Sequence, residues 1–169
     1  MFFTKSKVEK VLAKVHKKRN KALVDDLYNI IFLDFDGVLN LDLNNYNKPF
    51  KNKIAIKNLN LLCLKNDFKI VVCSSWRKYC DYKKILYESG LNKGIQILGA
   101  TKNLEIDRES EIQDYLLNNP YIDKFIIIDD EKYNELSKYQ VRTEISKGFD
   151  DDKYNEAVEL ILKISNRNL

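Results

Sequence analysis

The chain of 169 residues carries 29 Lys and Arg against 25 Asp and Glu, and 44% of its residues are hydrophobic. This balance is typical of one globular domain and argues against a disordered or low-complexity chain. The three cysteines, Cys63, Cys73 and Cys80, lack CxxC or Cys/His spacing. They therefore argue against a disulfide framework or a zinc site and favour a reducing, cytoplasmic compartment.

The N-terminal segment, residues 1–29, is the basic part of the chain, with eight Lys and Arg against three acids. Its apolar residues recur at helical spacing from Lys5 to about Tyr28, which predicts one helix or two joined near Arg19-Asn20. We treat 1–29 as a basic helical extension of a domain over 30–169. The lysines and arginine of 14–21 could contact an anionic partner, such as nucleic-acid phosphates or a membrane surface. The alternative is the solvated face of a helix.

No stretch of the chain approaches the roughly 18 apolar residues of a membrane span, so we expect no membrane-spanning segment.

The rest of the chain alternates short β-favouring apolar runs with helical segments. This alternation predicts an α/β, three-layer Rossmann-like fold, with a central parallel sheet of about five strands and helices on both faces. The predicted strands are 30–33, 69–73, 95–98, 125–128 and a short edge strand 140–143; the predicted helices are 54–64, 79–88 with Gly90 as C-cap, 109–117 and 153–164.

Two of the apolar runs end in acids: Asp34 and Asp36 follow the first, and Asp129 and Asp130 follow the fourth. Alternation along an extended chain points Asp34 and Asp36 the same way, and parallel strands gather all four acids at one edge. Such carboxylates repel one another unless a hard cation, Mg²⁺ above all, neutralises them. An aspartate there could attack phosphorus while a second one transfers protons. The alternative for each acid alone is a turn or helix-cap residue.

These residues resemble the motifs of the haloacid dehalogenase (HAD) superfamily of phosphatases and phosphotransferases. The first motif, DxDG after an apolar run, is similar to Asp34-Phe35-Asp36-Gly37. The resemblance implies that Asp34 is the nucleophile and a metal ligand. It implies that Asp36 is the general acid and base, and that Asp36 binds the metal through its backbone carbonyl. The fourth motif resembles Asp129-Asp130, which implies two further metal ligands.

The second and third motifs supply the groups that bind phosphate. The second resembles the strand ending at Ser74, which implies that Ser74 hydrogen-bonds the transferred phosphoryl group. The third is a lone cation near the start of a helix. Arg108 fits best, in a form similar to the RxxEI pattern of small polynucleotide-repair-like members, with Lys102 as the alternative. Ser75, Arg77 and Lys102 are predicted to contact the substrate.

Many members of the superfamily carry a cap domain over the site. The segments 40–69 and 78–107 are too short to hold one beside their own helices, so we expect no cap and an open site. An open site favours a phosphate carried by a macromolecule, either a nucleic-acid end or a phosphoprotein. The alternatives are a small metabolite or nucleotide phosphatase with a dimer partner as cap, and a non-catalytic HAD-like binding module.

Overall fold

The computed structural model describes residues 7–21, 27–42 and 44–166, without the side chains of 19–21. Within these ranges five parallel strands form one sheet in the order β3-β2-β1-β4-β5. The strands are β1 Tyr28–Leu33, β2 Phe68–Val72, β3 Ile97–Ala100, β4 Ile122–Asp129 and β5 Gln140–Arg142. The helices are α1 Lys7–Lys21, α2 Lys53–Asn66, α3 Tyr82–Ser89, α4 Arg108–Asn118 and α5 Asp151–Ser165. The three-layer Rossmann-like prediction is confirmed.

Side chains alternate between the two faces of the sheet, and each face has its own core. From β1, Ile31 and Leu33 pack with the buried residues of α2, α3 and α5, whereas Ile30 and Phe32 pack with those of α1 and α4. Period-two alternation in a strand with helices on both faces requires apolar residues at every position. This is why the first strand appears in the sequence as one uninterrupted apolar run.

Helix α1 is part of this core and does not stand apart from it. Val8, Val11 and Val15 are buried in the cluster that contains Ile112 and Leu116 of α4. The Lys18 ammonium donates to the backbone carbonyl of Leu117 at 2.9 Å. The basic side chains of Lys10, Lys14, Lys17 and Lys18 lie on the exposed side of the helix. The boundary at residue 29 stays a prediction.

Several predicted element boundaries differ from the structure; β4, for example, begins at Ile122 and not at 125. Helix α1 ends at Lys21 and Tyr28 already belongs to β1, while 22–26 lie outside the described residues. Helix α3 begins at Tyr82 and not at 79, because the Asp81 carboxylate caps it by accepting from Lys84 N. Strand β3 lies two residues later than predicted. Ile95 is buried but closes a turn, with its N–H donating to Asn92 O at 3.0 Å.

The expected C-cap of α3 is confirmed, since Gly90 has φ 109, a conformation that suits glycine. No cap domain occurs among the described residues: the β1–α2 connection is a loop, and β2 leads to α4 through a 3-10 turn, α3 and β3. None of the helices described is both long enough and apolar enough to cross a membrane.

Candidate active site

Three carboxylates meet at the carboxyl ends of β1 and β4. Asp34 follows the last residue of β1, Asp129 is the last residue of β4, and Asp130 comes next. Each offers an oxygen within 4.8 Å of the others. Asp34 and Asp129 are buried and Asp130 is partly exposed. The sheet register brings them together, because Leu33 pairs with Ile128 and the Asp34 N–H donates to Ile128 O at 3.0 Å.

Arg108 neutralises part of this charge. Its Nη1 lies 2.9 Å from Asp34 Oδ2 and 3.0 Å from Asp129 Oδ2. The preceding residue, Asp107, caps α4 by accepting from the Ser110 N–H at 2.8 Å, so Arg108 opens the helix at the site. Lys102 is exposed. No ion pair or hydrogen bond among the described residues joins Lys102 to these acids. The geometry therefore favours Arg108 over Lys102 as the third-motif cation.

Burial and the neighbouring Asp129 carboxylate raise the pKa of Asp34 to about 7, although Arg108, the Phe35 N–H and the Ser74 side chain oppose the rise. Burial and Asp129 also raise the pKa of Asp130. Burial opposes the charge of the Arg108 guanidinium, but Asp34 and Asp129 overcome that effect and hold its pKa above the ordinary value. The site thus contains more negative charge than its own cation offsets.

Asp36 has a different environment from Asp34. Its Oδ2 accepts from the indole N–H of Trp76 at 2.9 Å, and its Oδ1 accepts from the Asn40 amide at 2.7 Å. Asp36 is not among the three acids whose oxygens lie within 4.8 Å of one another, but it is close enough to help raise the pKa of Asp130. The chain leaves the extended conformation after Leu33 and turns, with the Gly37 N–H donating to Asn40 O.

Gly37 allows this turn to pass close to Asp130. Its φ is +69, and a Cβ at this position would lie 2.6 Å from the Asp130 Cγ. Only glycine combines that left-handed backbone with so short an approach. The Gly37 carbonyl accepts from the Thr143 hydroxyl at 2.8 Å, which ties the turn to the end of β5.

Ser74 is fully buried two residues after the end of β2, close enough to Asp34 for its side chain to lower the pKa of that carboxyl. Ser75 is exposed and, with Arg108, lines a cleft of about 260 Å³ beside the acids. Arg77, predicted to contact the substrate, lines the same cleft, although its side chain is only 6% exposed. Its contact with substrate stays a prediction. Its guanidinium donates to Cys73 O and Ser74 O, each at 2.7 Å, and to Thr101 O at 3.0 Å. It also pairs with Glu111. Arg77 therefore positions the strand end that carries Ser74.

Sequence reasoning missed three supports of the site. The Tyr133 hydroxyl donates to Asp129 Oδ2 at 2.7 Å, and the Glu131 N–H donates to Asp129 Oδ1 at 2.9 Å. Glu111 is 4% exposed and also accepts from the Leu104 N–H. The one signal for Tyr133 was its place four residues after Asp129. Glu111 is the acid of the RxxEI pattern that begins at Arg108, but the sequence did not indicate that it pairs with Arg77.

The donor set fits a hard divalent cation. Three carboxylates offer oxygen atoms close enough to share one ion, and oxygen is the ligand that Mg²⁺ prefers. Burial and the Asp129 carboxylate raise the pKa of Asp34, and a bound cation would favour its charged form. Cysteine and histidine are absent from this cluster of described ligands, which disfavours a softer metal.

A parallel α/β sheet with DxDG after the central strand and paired acids after its neighbour defines a HAD-like fold. Residues 30–154 match the family model described as the HAD domain in Swiss Army Knife RNA repair proteins. The chain belongs to this family, and its membership supports the hydrolase class. Comparison with curated proteins and with solved structures yields no match.

Proposed function

We propose that this protein is a Mg²⁺-dependent phosphatase that removes the terminal phosphate from an RNA end. The observation that carries the proposal is the contrast between two acids of one motif. Asp34 lies in the acid cluster beside Arg108, whereas the Asp36 carboxylate accepts hydrogen bonds from Trp76 and Asn40. Acids placed in different environments suit different chemical roles.

In the first step an Asp34 carboxylate oxygen attacks phosphorus, and the bond from phosphorus to the leaving oxygen breaks. Asp36 gives its proton to that oxygen. In the second step water attacks the phosphorus of the aspartyl-phosphate, Asp36 takes a proton from the water, and the bond to Asp34 breaks. The products are inorganic phosphate, the dephosphorylated end and the restored Asp34 carboxylate.

The other residues bind and orient the phosphate. Arg108 offers a guanidinium next to Asp34, and Ser74, two residues after the end of β2, offers a hydroxyl. A bound Mg²⁺, held by Asp34, the Asp36 carbonyl, Asp129 and Asp130, would offset the charge of the acids and the phosphate. Ser75 lies at the edge of the adjacent cleft, where a substrate can pass.

Two observations support an RNA end as the substrate. The family is described by RNA repair proteins. The described residues include no cap that would enclose a small metabolite, and the site is reached through open clefts. A macromolecular end can itself exclude water from such a site.

The test is a phosphate-release screen with RNA and DNA oligonucleotides phosphorylated at the 3′ or the 5′ end, nucleoside monophosphates and phosphopeptides. We expect Mg²⁺-dependent release from an RNA end and its loss in Asp34→Asn. Faster release from phosphopeptides or from free nucleotides would replace the proposed substrate. Full activity of Asp34→Asn would rule out the mechanism.

A further inference from the structure

Two exposed tyrosines lie beside the proposed acid and base. Tyr46 is 44% exposed and Tyr79 is 66% exposed, and their ring centroids are 6.4 Å apart. Tyr46 comes from the loop before α2, and Tyr79 directly follows the 3-10 turn after Ser74. Large exposed rings from two separate segments in mutual contact form a small aromatic surface, which we call the Tyr46–Tyr79 surface.

This surface is connected to Asp36 through one residue. The Tyr46 ring centroid lies 4.9 Å from that of Trp76, and the Trp76 indole N–H donates to Asp36 Oδ2 at 2.9 Å. Trp76 is 1% exposed and packs against Phe35 and Phe50. The buried rings hold Trp76 in place, while Tyr46 continues the aromatic stack outward to solvent.

The position of Asp36 indicates which part of the substrate lies beside the Tyr46–Tyr79 surface during the reaction. Asp36 must reach the leaving oxygen to protonate it, so the group released from phosphorus lies on its side of the site. For a nucleic-acid end, that group is the terminal nucleoside. Aromatic side chains bind bases by stacking on their faces, in a way that tolerates any sequence.

We propose that the Tyr46–Tyr79 surface stacks with the base of the nucleotide that carries the terminal phosphate. This inference rests on the proposed function and names the subsite that selects a nucleic-acid end. Stacking on the two rings does not distinguish one base from another, because it does not depend on the hydrogen-bonding groups of the base. The surface thereby favours repair of ends of any sequence.

The experiment compares two RNA oligonucleotides that share the backbone and the terminal phosphate, one with an ordinary terminal base and one with an abasic terminal nucleotide. The ratio of their kcat/KM values is internal to each enzyme preparation, so partial misfolding of a variant does not change it. Wild type, Tyr46→Ala, Tyr46→Phe and Tyr79→Ala are compared. Leu64→Ala, at an exposed apolar position on α2, is the matched control.

We expect the wild type to prefer the terminal base by about tenfold, the size of one stacking contact. Tyr46→Ala should lose this preference by slowing only the substrate with the base, Tyr79→Ala should reduce it, and Tyr46→Phe and Leu64→Ala should keep it. An equal loss on both substrates, or an unchanged ratio in Tyr46→Ala, overturns the stacking role and leaves the phosphatase proposal intact. If the wild type releases phosphate from neither of the two substrates, both proposals are overturned.

Binding gives a second readout that needs no turnover. Trp76 is the only tryptophan and contacts Tyr46, so its fluorescence should change when a base stacks nearby. Titration of Asp34→Asn with the two oligonucleotides should show tighter binding of the one with the terminal base. Equal affinities for both would contradict the proposal.

Discussion

The indole N–H of Trp76 donates a hydrogen bond of 2.9 Å to Asp36 Oδ2. Asn40 holds the other oxygen of the same carboxylate. A carboxylate fixed at both oxygens presents a defined direction to a leaving group, which a freely rotating side chain does not. In the proposed mechanism, Trp76 is therefore a positioning residue for proton transfer by Asp36.

Replacement of Trp76 by Phe removes this donor and keeps an aromatic ring. We expect kcat to fall about tenfold with little change in KM, since one hydrogen bond to a charged group is worth roughly 1.5–3 kcal/mol. Steady-state kinetics check this. Phe50→Leu is the control, because Phe50 packs on Trp76 without contacting Asp36 through a hydrogen bond. If Phe50→Leu lowers kcat equally, packing and not the N–H explains the loss.

The raised pKa of Asp34 predicts a pH-dependent stability of the metal-free protein. The folded state binds this proton up to about pH 7, while the unfolded state releases it near pH 3.8. The contribution of Asp34 to the unfolding free energy therefore falls as pH rises through this window, by up to about 4 kcal/mol. Asp34→Asn should raise the melting temperature more at pH 8 than at pH 5, measured in chelator. A larger gain at pH 5 would contradict the burial argument.

Mg²⁺ should reverse this trend, because carboxylate ligands bind it only when deprotonated. We expect Mg²⁺ to raise the melting temperature of the wild type at pH 8, less at pH 6, and hardly at all in Asp34→Asn. Thermal melts with and without Mg²⁺ measure the three shifts. Equal shifts in wild type and Asp34→Asn would place the ion elsewhere.

Arg108 and Lys102 can be distinguished by activity. Arg108→Ala removes the guanidinium that lies 2.9 Å from Asp34, so we expect kcat/KM to fall about a hundredfold or more. Arg108→Lys keeps the positive charge but loses the planar guanidinium. Its kcat/KM should lie between those of the wild type and Arg108→Ala. Lys102→Ala should stay within about twofold of wild type, as expected for an exposed charge. A larger loss in Lys102→Ala than in Arg108→Ala would reverse the assignment.

Glu111 should matter for stability through Arg77. Their side chains are 5% and 6% exposed, so Glu111→Ala leaves a buried guanidinium without its charge partner. We expect a loss of about 3–5 kcal/mol in chemical denaturation. Glu88→Ala breaks the exposed pair with Lys84 and should cost less than about 1 kcal/mol. Similar losses in both variants would show that burial of the Arg77–Glu111 pair is unimportant.

The sequence was informative where local pattern and chemistry coincide. Uninterrupted apolar runs predicted the strands because both faces of the sheet are covered, as Ile30 and Ile31 show by packing into opposite cores. The boundaries were less predictable. The N-terminus of α3 depends on one capping carboxylate, Asp81, and the start of β3 depends on a turn at Asn92 that delays an apolar residue from joining the sheet.

In the candidate site too, some features were predictable from the sequence and others were not. The sequence by itself determined the fold class and the presence of acids at the strand ends, since strand order and parallel direction bring those ends to one edge. Only the tertiary structure decided which acids meet. It joins the Asp36 carboxylate to Trp76, directs Arg108 at Asp34, and pairs Arg77 with Glu111. These choices depend on loop turns and on partners distant in sequence, which local periodicity does not encode.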